Sequence, residues 1–365
     1  VEIDKGTDAL KLAGGILLLG GAALLVRGAS SLAAAAGVTP LVIGLTVVAF
    51  GTSAPELAVT LGSARGGAAD LALGNVVGSN IFNILFILGL SALVTPLRVA
   101  HQLVRLDVPL MIGASLLVLL LSLDRRVGQL DGAFLFAGAL VYTGFLIWQS
   151  RRQSRVPKGP QDRSGSPGDG VGKPGWFRNL ALVAVGLALL VVGARWLVSA
   201  AVGIAEALGV GELVIGLTIV AAGTSLPEVA TSVLASVRGH RDIAVGNAVG
   251  SCIFNLLVVL GLGSLLSPGG IGVPPGALTF DLPIMIAVAL AALPVFFTGH
   301  IIARWEGAVF LAYYGAYTVY LILEAGAHAS LPAFRAAMAW FILPLTVLTL
   351  LILVVRTLQD RPSSE

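Results

Sequence analysis

Runs of about twenty apolar residues follow one another along almost the whole chain, and each has the length an α-helix needs to cross a bilayer. They lie near 10–32, 41–64, 71–95, 106–122, 130–149, 178–204, 213–237, 243–267, 279–298, 304–324 and 334–355. A soluble protein of 365 residues needs a charged surface, and this chain is only 11% charged against 57% hydrophobic. The reading is an all-α polytopic membrane protein. Its partner in bulk is therefore the lipid bilayer.

Other bulk properties narrow the field further. The net charge of +3 reflects arginines at the span ends, with no basic stripe for nucleic acid. The single cysteine, Cys252, lies within a span and excludes an internal disulfide. The stretch 10–32 is too long for a signal-peptide core and lacks a basic lead-in beyond Lys5 and Lys11, so it is taken as a mature span. The connector 150–177 is rich in Gly, Pro and Ser and carries Arg151, Arg152, Arg155, Lys158, Arg163 and Lys173. Basic connectors stay in the cytoplasm, which puts the N-terminus outside a plasma (inner) membrane. The connector reads as a flexible linker between an N-terminal half, 1–149, and a C-terminal half, 178–325. The segment 326–365 adds an extra transmembrane helix and a tail.

The two halves share a text. Residues 41–90 and 213–262 align at a constant offset of 172, with 29 of 50 positions identical. Each copy contains GTS-x-PE (Gly51–Glu56, Gly223–Glu228) and then GN-x-x-GS-x-IFN (Gly74–Asn83, Gly246–Asn255). Five spans separate the second helix from the seventh, so the copies cross the membrane in opposite senses. Inverted repeats with a midplane site on interrupted helices are a recurring plan of secondary transporters.

Thr52 and Glu56 are four apart, as are Thr224 and Glu228, so each pair shares a helical face. Asn75, Ser79 and Asn83 make a polar stripe on the next span, repeated by Asn247, Ser251 and Asn255. A charged side chain at mid-bilayer costs at least ~2.5–3.5 kcal/mol. Two glutamates at that depth need a cation or a donor to hold their charge. Pro55 and Pro227 cannot donate to the carbonyls of Gly51 and Gly223. Freed carbonyls, hydroxyls and carboxylates are the oxygen ligands of hard cations.

Other polar and small residues have plainer roles. Gly44, Gly74, Gly78, Gly89 and their counterparts suit close helix packing. Asp70 and Asp242 suit helix N-caps. Asp107 and Asp281, in a repeated D-x-P, suit helix starts. The four histidines fall in connectors or at span ends. The paired glutamates are the exception, and read as functional.

At these residues the chain resembles the Ca²⁺/cation antiporter superfamily, sodium/calcium exchanger branch, whose α1 and α2 repeats carry the same two motifs in the same order. The resemblance implies two inverted five-helix repeats, over roughly 10–324, beside the extra C-terminal helix. It implies a secondary active antiporter, not an enzyme, exchanging about three Na⁺ for one Ca²⁺ by alternating access, with the first and sixth helices sliding. Ca²⁺ and Na⁺ would be the bound substrates, with no cofactor and no obligatory protein partner. Residue by residue, it implies that Glu56 and Glu228 coordinate Ca²⁺ and share Na⁺. Hydroxyls of Thr52, Ser53, Thr224, Ser225, Ser79 and Ser251 and the backbone carbonyls of Ala49 and Ala221 would supply further metal ligands, beside Asn83 and Asn255. Potassium-dependent members carry Asp at the position of Asn255, so the amide argues against K⁺ co-transport. Cys252 stands where the first copy has Asn80. An antiporter of H⁺ or another divalent cation is the alternative.

Overall fold

In the computed structural model, residues 5–154, 175–207, 221–326 and 330–344 are described, together with His328, Val347, Leu351 and Val355. Among these residues twelve helices build the bundle: α1 (Lys5–Ala36), α2 (Pro40–Thr52), α3 (Ala54–Arg65), α4 (Leu71–Val94), α5 (Leu103–Leu121), α6 (Gln129–Arg152), α7 (Trp176–Ala205), α8 (Ala221–Thr224), α9 (Leu226–Val237), α10 (Arg241–Leu266), α11 (Ala277–Phe297) and α12 (Arg304–Ala325). A short α13 (Leu331–Ala337) follows and continues as a π-helical turn, Met338–Ile342. Among the described residues, eight helices are individually long and apolar enough to cross a membrane, and α2 with α3 makes a ninth, bent by 45°. The first part of the expected seventh span, 213–220, and most of the linker, 155–174, lie outside the described residues.

Helix starts mostly precede the expected ones by one to three residues, as at Leu103, Trp176 and Arg241. Hydropathy senses the apolar length, whereas the helix begins with polar residues ahead of it. The first helix extends furthest, from Lys5 to Ala36.

The two halves are interlocked. α1 lies along α7, and each glycine of their seam admits the opposite backbone. A Cβ on Gly21 would sit 2.7 Å from the Gly186 carbonyl oxygen, and one on Gly186 2.7 Å from the Leu25 amide nitrogen. The last helix of each half packs against the third span of the other, with the same device. Gly132 of α6 meets Gly261 of α10, and Gly307 of α12 meets Gly89 of α4. Gly44 likewise faces the backbone of Ile243, as expected for close packing. Two short antiparallel ladders join the halves at opposite ends of α5. β1 (Leu97–Arg98) pairs with β4 (Ile301–Ile302), and β2 (Arg126–Val127) with β3 (Ile271–Gly272).

The centre of the bundle belongs to α4 and α10, whose apolar windows are 78% buried, against 11% for α12. Both switch to π-helical turns at the last residue of the motif, over Asn83–Leu88 and Asn255–Val259. Such widened turns concentrate at functional sites.

Three aspartates expected at helix starts behave differently. Asp107 is buried inside the helix, as the last residue of a π-helical turn that begins at Leu103, and makes no cap bond. It accepts from the Tyr142 hydroxyl at 2.9 Å and the Gln102 amide at 3.3 Å. Asp281 accepts from Tyr317 at 3.4 Å. The D-x-P spacing matched a helix-start pattern, but the helices begin four residues earlier. Asp242 falls in the first turn of α10, after His240 at the cap position, and so sits where the helix dipole favours an anion.

Candidate ion-binding site

The site is built at two helix breaks. Ser53, between α2 and α3, leaves helical geometry at φ −83°, ψ 10°, and Ser225, between α8 and α9, does so at φ −91°, ψ 8°. Pro55 and Pro227 fall in the first turn of the helix that follows, where a missing N–H is harmless. The breaks therefore come just ahead of the prolines. One residue later in each first turn, Glu56 and Glu228 point inward and are 1% exposed.

The serines at the breaks cross between copies. Ser53 donates to Glu228 Oε1 at 3.0 Å, and Ser225 donates to Glu56 Oε1 at 2.9 Å. Each repeat thus binds the carboxylate of the other. Ser225 Oγ also lies 3.3 Å from Ser79 Oγ, which brings α4 into the same cluster. Thr224 stands within hydrogen-bonding reach of Glu56, as Thr52 does of Glu228. The Thr52 hydroxyl can donate across to Asn247 Oδ1 at 3.1 Å or back to the Val48 carbonyl at 3.0 Å. The Ala49 carbonyl accepts from the Ser53 amide at 3.0 Å and lies 3.4 Å from the Thr52 hydroxyl. Ala221 opens α8; its side chain lies outside the description.

Several buried oxygens in this cluster have no hydrogen-bond partner among the described residues. They are Glu56 Oε2, Glu228 Oε2, Ser251 Oγ, Asn83 Oδ1 and Asn255 Oδ1. A buried carboxylate oxygen left unpaired is expensive unless a cation takes it. All five are hard oxygen donors of the kind that hold Na⁺ or Ca²⁺. Among the described residues no group of three His, Cys, Asp or Glu forms, and Glu56 and Glu228 are the carboxylates of the described site.

Two asparagines read in the sequence only as part of a stripe do more than that. Asn75 donates to the Glu56 carbonyl at 3.1 Å and to Thr60 at 3.0 Å. Asn247 donates to the Glu228 carbonyl at 3.4 Å and to Ser232 at 2.9 Å. They brace the backbone under each glutamate. Asn255 donates to Asn80 Oδ1 at 3.2 Å, tying α10 to α4. The Cys252 thiol donates to the Asn80 carbonyl at 3.7 Å.

The family model described as sodium/calcium exchanger protein matches residues 9–148 and 178–323. The chain belongs to the sodium/calcium exchanger protein family. It is 39% identical over 249 residues to the inner membrane protein YrbG of Escherichia coli, covering 67% of this chain and 74% of that protein. It is 34% identical over 306 residues to the sodium/calcium exchanger MaX1 of Methanosarcina acetivorans, covering 75% of this chain and 87% of the relative. Among solved structures, the sodium-calcium exchanger NCX_Mj superposes with a TM-score of 0.72 at 29% identity, over 87% of this chain and 98% of NCX_Mj. The all-α fold is therefore that of an exchanger, and the matched segments skip most of the linker and end before α13.

Proposed function

We propose that this family member is a Na⁺-driven Ca²⁺ antiporter whose transport site is the crossed cluster of Glu56 and Glu228. The observation that carries the reading is the pair of serine–glutamate bonds between inverted copies, around carboxylate oxygens that have no partner among the described residues. In this reading Glu56 and Glu228 bind Ca²⁺. Ser53, Ser225, Ser79, Ser251, Thr52, Thr224 and the carbonyls of Ala49 and Ala221 share the smaller charge of Na⁺ with them. Asn83 and Asn255 complete the oxygen set. One Ca²⁺ neutralises two carboxylates, whereas about three Na⁺, the number implied by the family resemblance, leave the site at +1, so the cycle moves charge.

Because each carboxylate is held by the other repeat's helix break, ions occupying the site draw the two halves together from both sides. Two ion-loaded states and exclusion of a charged empty site are what obligatory exchange requires. The seam of α1 and α7, packed through glycines, would let these two helices slide as one pair against the rest of the bundle to alternate access. The basic linker sets the N-terminus outside the inner membrane, with residues 1–149 and 178–325 as the two repeats.

The test is Ca²⁺ uptake by proteoliposomes loaded with Na⁺. Uptake that needs an outward Na⁺ gradient and stops when Na⁺ is equal on both sides is the expected result. Uptake that follows an imposed proton gradient and ignores Na⁺ would replace the coupling ion by H⁺.

A further inference from the structure

α11, α12 and the C-terminal α13 with its π-helical continuation enclose a crevice of about 500 Å³ that is separate from the ion site. Its walls are three helical stripes. On α11, residues 280, 284, 287, 291 and 295 recur at helical spacing, and α12 and the C-terminal segment present matching faces. From Phe280 to Val295 the slot runs about 22 Å, at 1.5 Å per residue. That exceeds the roughly 15 Å of hydrocarbon in one leaflet. Among the described residues its charged linings are Glu306, whose Oε2 accepts from the Ala303 amide at 2.7 Å, and Arg335, at the opposite end.

Arg335 is also where the slot meets a polar mouth of about 280 Å³, shared with Asp281, Glu324 and Tyr320. The described bonds of Arg335, to Glu324 at 2.9 Å and to the Tyr320 hydroxyl at 2.5 Å, both use Nη2. The rest of the guanidinium fork keeps its donors. Glu324 is paired with Arg335. Asp281 has the long Tyr317 contact at 3.4 Å. An apolar slot one leaflet deep, opening on one cation and two carboxylates, has the charge layout of a zwitterionic lipid seen in reverse.

We propose that this crevice binds a diacyl phospholipid with a primary-amine headgroup, one acyl chain in the slot, the phosphate on Arg335 and the ammonium on Asp281. The net formal charge of the mouth is −1, which disfavours an anionic headgroup. A quaternary ammonium cannot donate a hydrogen bond to Asp281, so choline lipids lose that contact. Two walls, α11 and α12, fall within the family match, and the third lies beyond residue 323, where that match ends.

Native mass spectrometry of the full chain, in detergent doped with phosphatidylethanolamine, phosphatidylcholine or phosphatidylglycerol of identical acyl chains, tests this. One phosphatidylethanolamine per chain is expected, preferred about tenfold over the glycerol lipid, the worth of one charge-assisted contact. Asp281→Asn should erase the preference for ethanolamine over choline while lipid is still retained, and Arg335→Gln should weaken retention of both. Ala291→Trp, which fills the slot, should abolish retention. Its folding is checked by an unchanged monodisperse elution and helical circular dichroism, and if it fails that check Ala287→Trp takes its place. A parent chain that retains no lipid, or the same lipids in the same ratio as Ala291→Trp and Asp281→Asn, overturns the proposal, as does a dimer that excludes lipid from the mass spectrum.

Discussion

Glu56→Gln isolates the charge at the ion site from its shape. The carboxylate uses Oε1 to accept from Ser225 at 2.9 Å, while Oε2 is buried without a partner among the described residues. A glutamine keeps an oxygen for Ser225 and places its amide where Oε2 stood. The fold should survive, since a neutral side chain is cheaper than a carboxylate at mid-bilayer. The ion site should not. At a Ca²⁺–oxygen distance of about 2.4 Å and an effective dielectric of about 20, one carboxylate attracts a divalent ion by about 14 kcal/mol gross. Even if dehydration of the carboxylate offset nine tenths of that, about 1.4 kcal/mol would remain, a factor of ten in affinity. Removing one partner of a buried ion pair typically costs about 3–5 kcal/mol, so the expected loss is about two to four orders of magnitude. The assay is ⁴⁵Ca²⁺ uptake into Na⁺-loaded proteoliposomes, with monodispersity and melting temperature in detergent measured on the same preparation. Glu228→Gln should behave alike, because Ser53 bonds it in the same way at 3.0 Å. Folded variants that exchange Ca²⁺ within threefold of the parent would refute the assignment of both carboxylates.

With two site carboxylates, exchange should carry net charge, so a K⁺–valinomycin potential should change the initial rate, at about 2.3 kcal/mol per elementary charge per 100 mV; a flux blind to voltage points to an electroneutral cycle. Asn255→Asp replaces the donor that meets Asn80 Oδ1 at 3.2 Å with a third negative charge, and should introduce a dependence on pH or K⁺ that the parent lacks. Toward acid pH a proton neutralises the new carboxyl and transport should approach the parent's; identical profiles across pH 6–9, with and without K⁺, would mean the amide only ties α4 to α10. Gly186→Val should wedge α1 from α7, because even a Cβ there falls 2.7 Å from the Leu25 amide nitrogen, with a stability loss of about 1–3 kcal/mol read by thermal denaturation. Gly15→Ala, which meets nothing described within 4 Å, is the neutral control, and equal losses in both would remove the close-packing argument.

The sequence alone determined the features written in local periodicity or in repetition. The eight long spans and the bent ninth followed from apolar length, whereas the expected spans 213–237 and 334–355 lie in part outside the described residues. The inverted pairing followed from the 172-residue offset and the odd step of five spans from the second helix to the seventh. The glutamates stood out because a mid-bilayer carboxylate has a high and calculable cost. The asparagine stripes were legible from their spacing of four, but that spacing says only that Asn75 and Asn247 share a face with Ser79 and Ser251. It does not say that they brace the carbonyls of Glu56 and Glu228. D-x-P resembled a helix start in both halves, yet Asp107 is buried against Tyr142, thirty-five positions away, on another helix. Nothing in the motif marks which serine meets which glutamate, and the two crossed bonds span 175 and 169 positions. Hydropathy and helical period act over one or two turns of chain, so they specify which face of a helix is polar. Which polar atoms then meet, and which glycines let two backbones touch, is decided only when the helices pack, because hydrogen bonds and close contacts between helices depend on distances that no single segment contains.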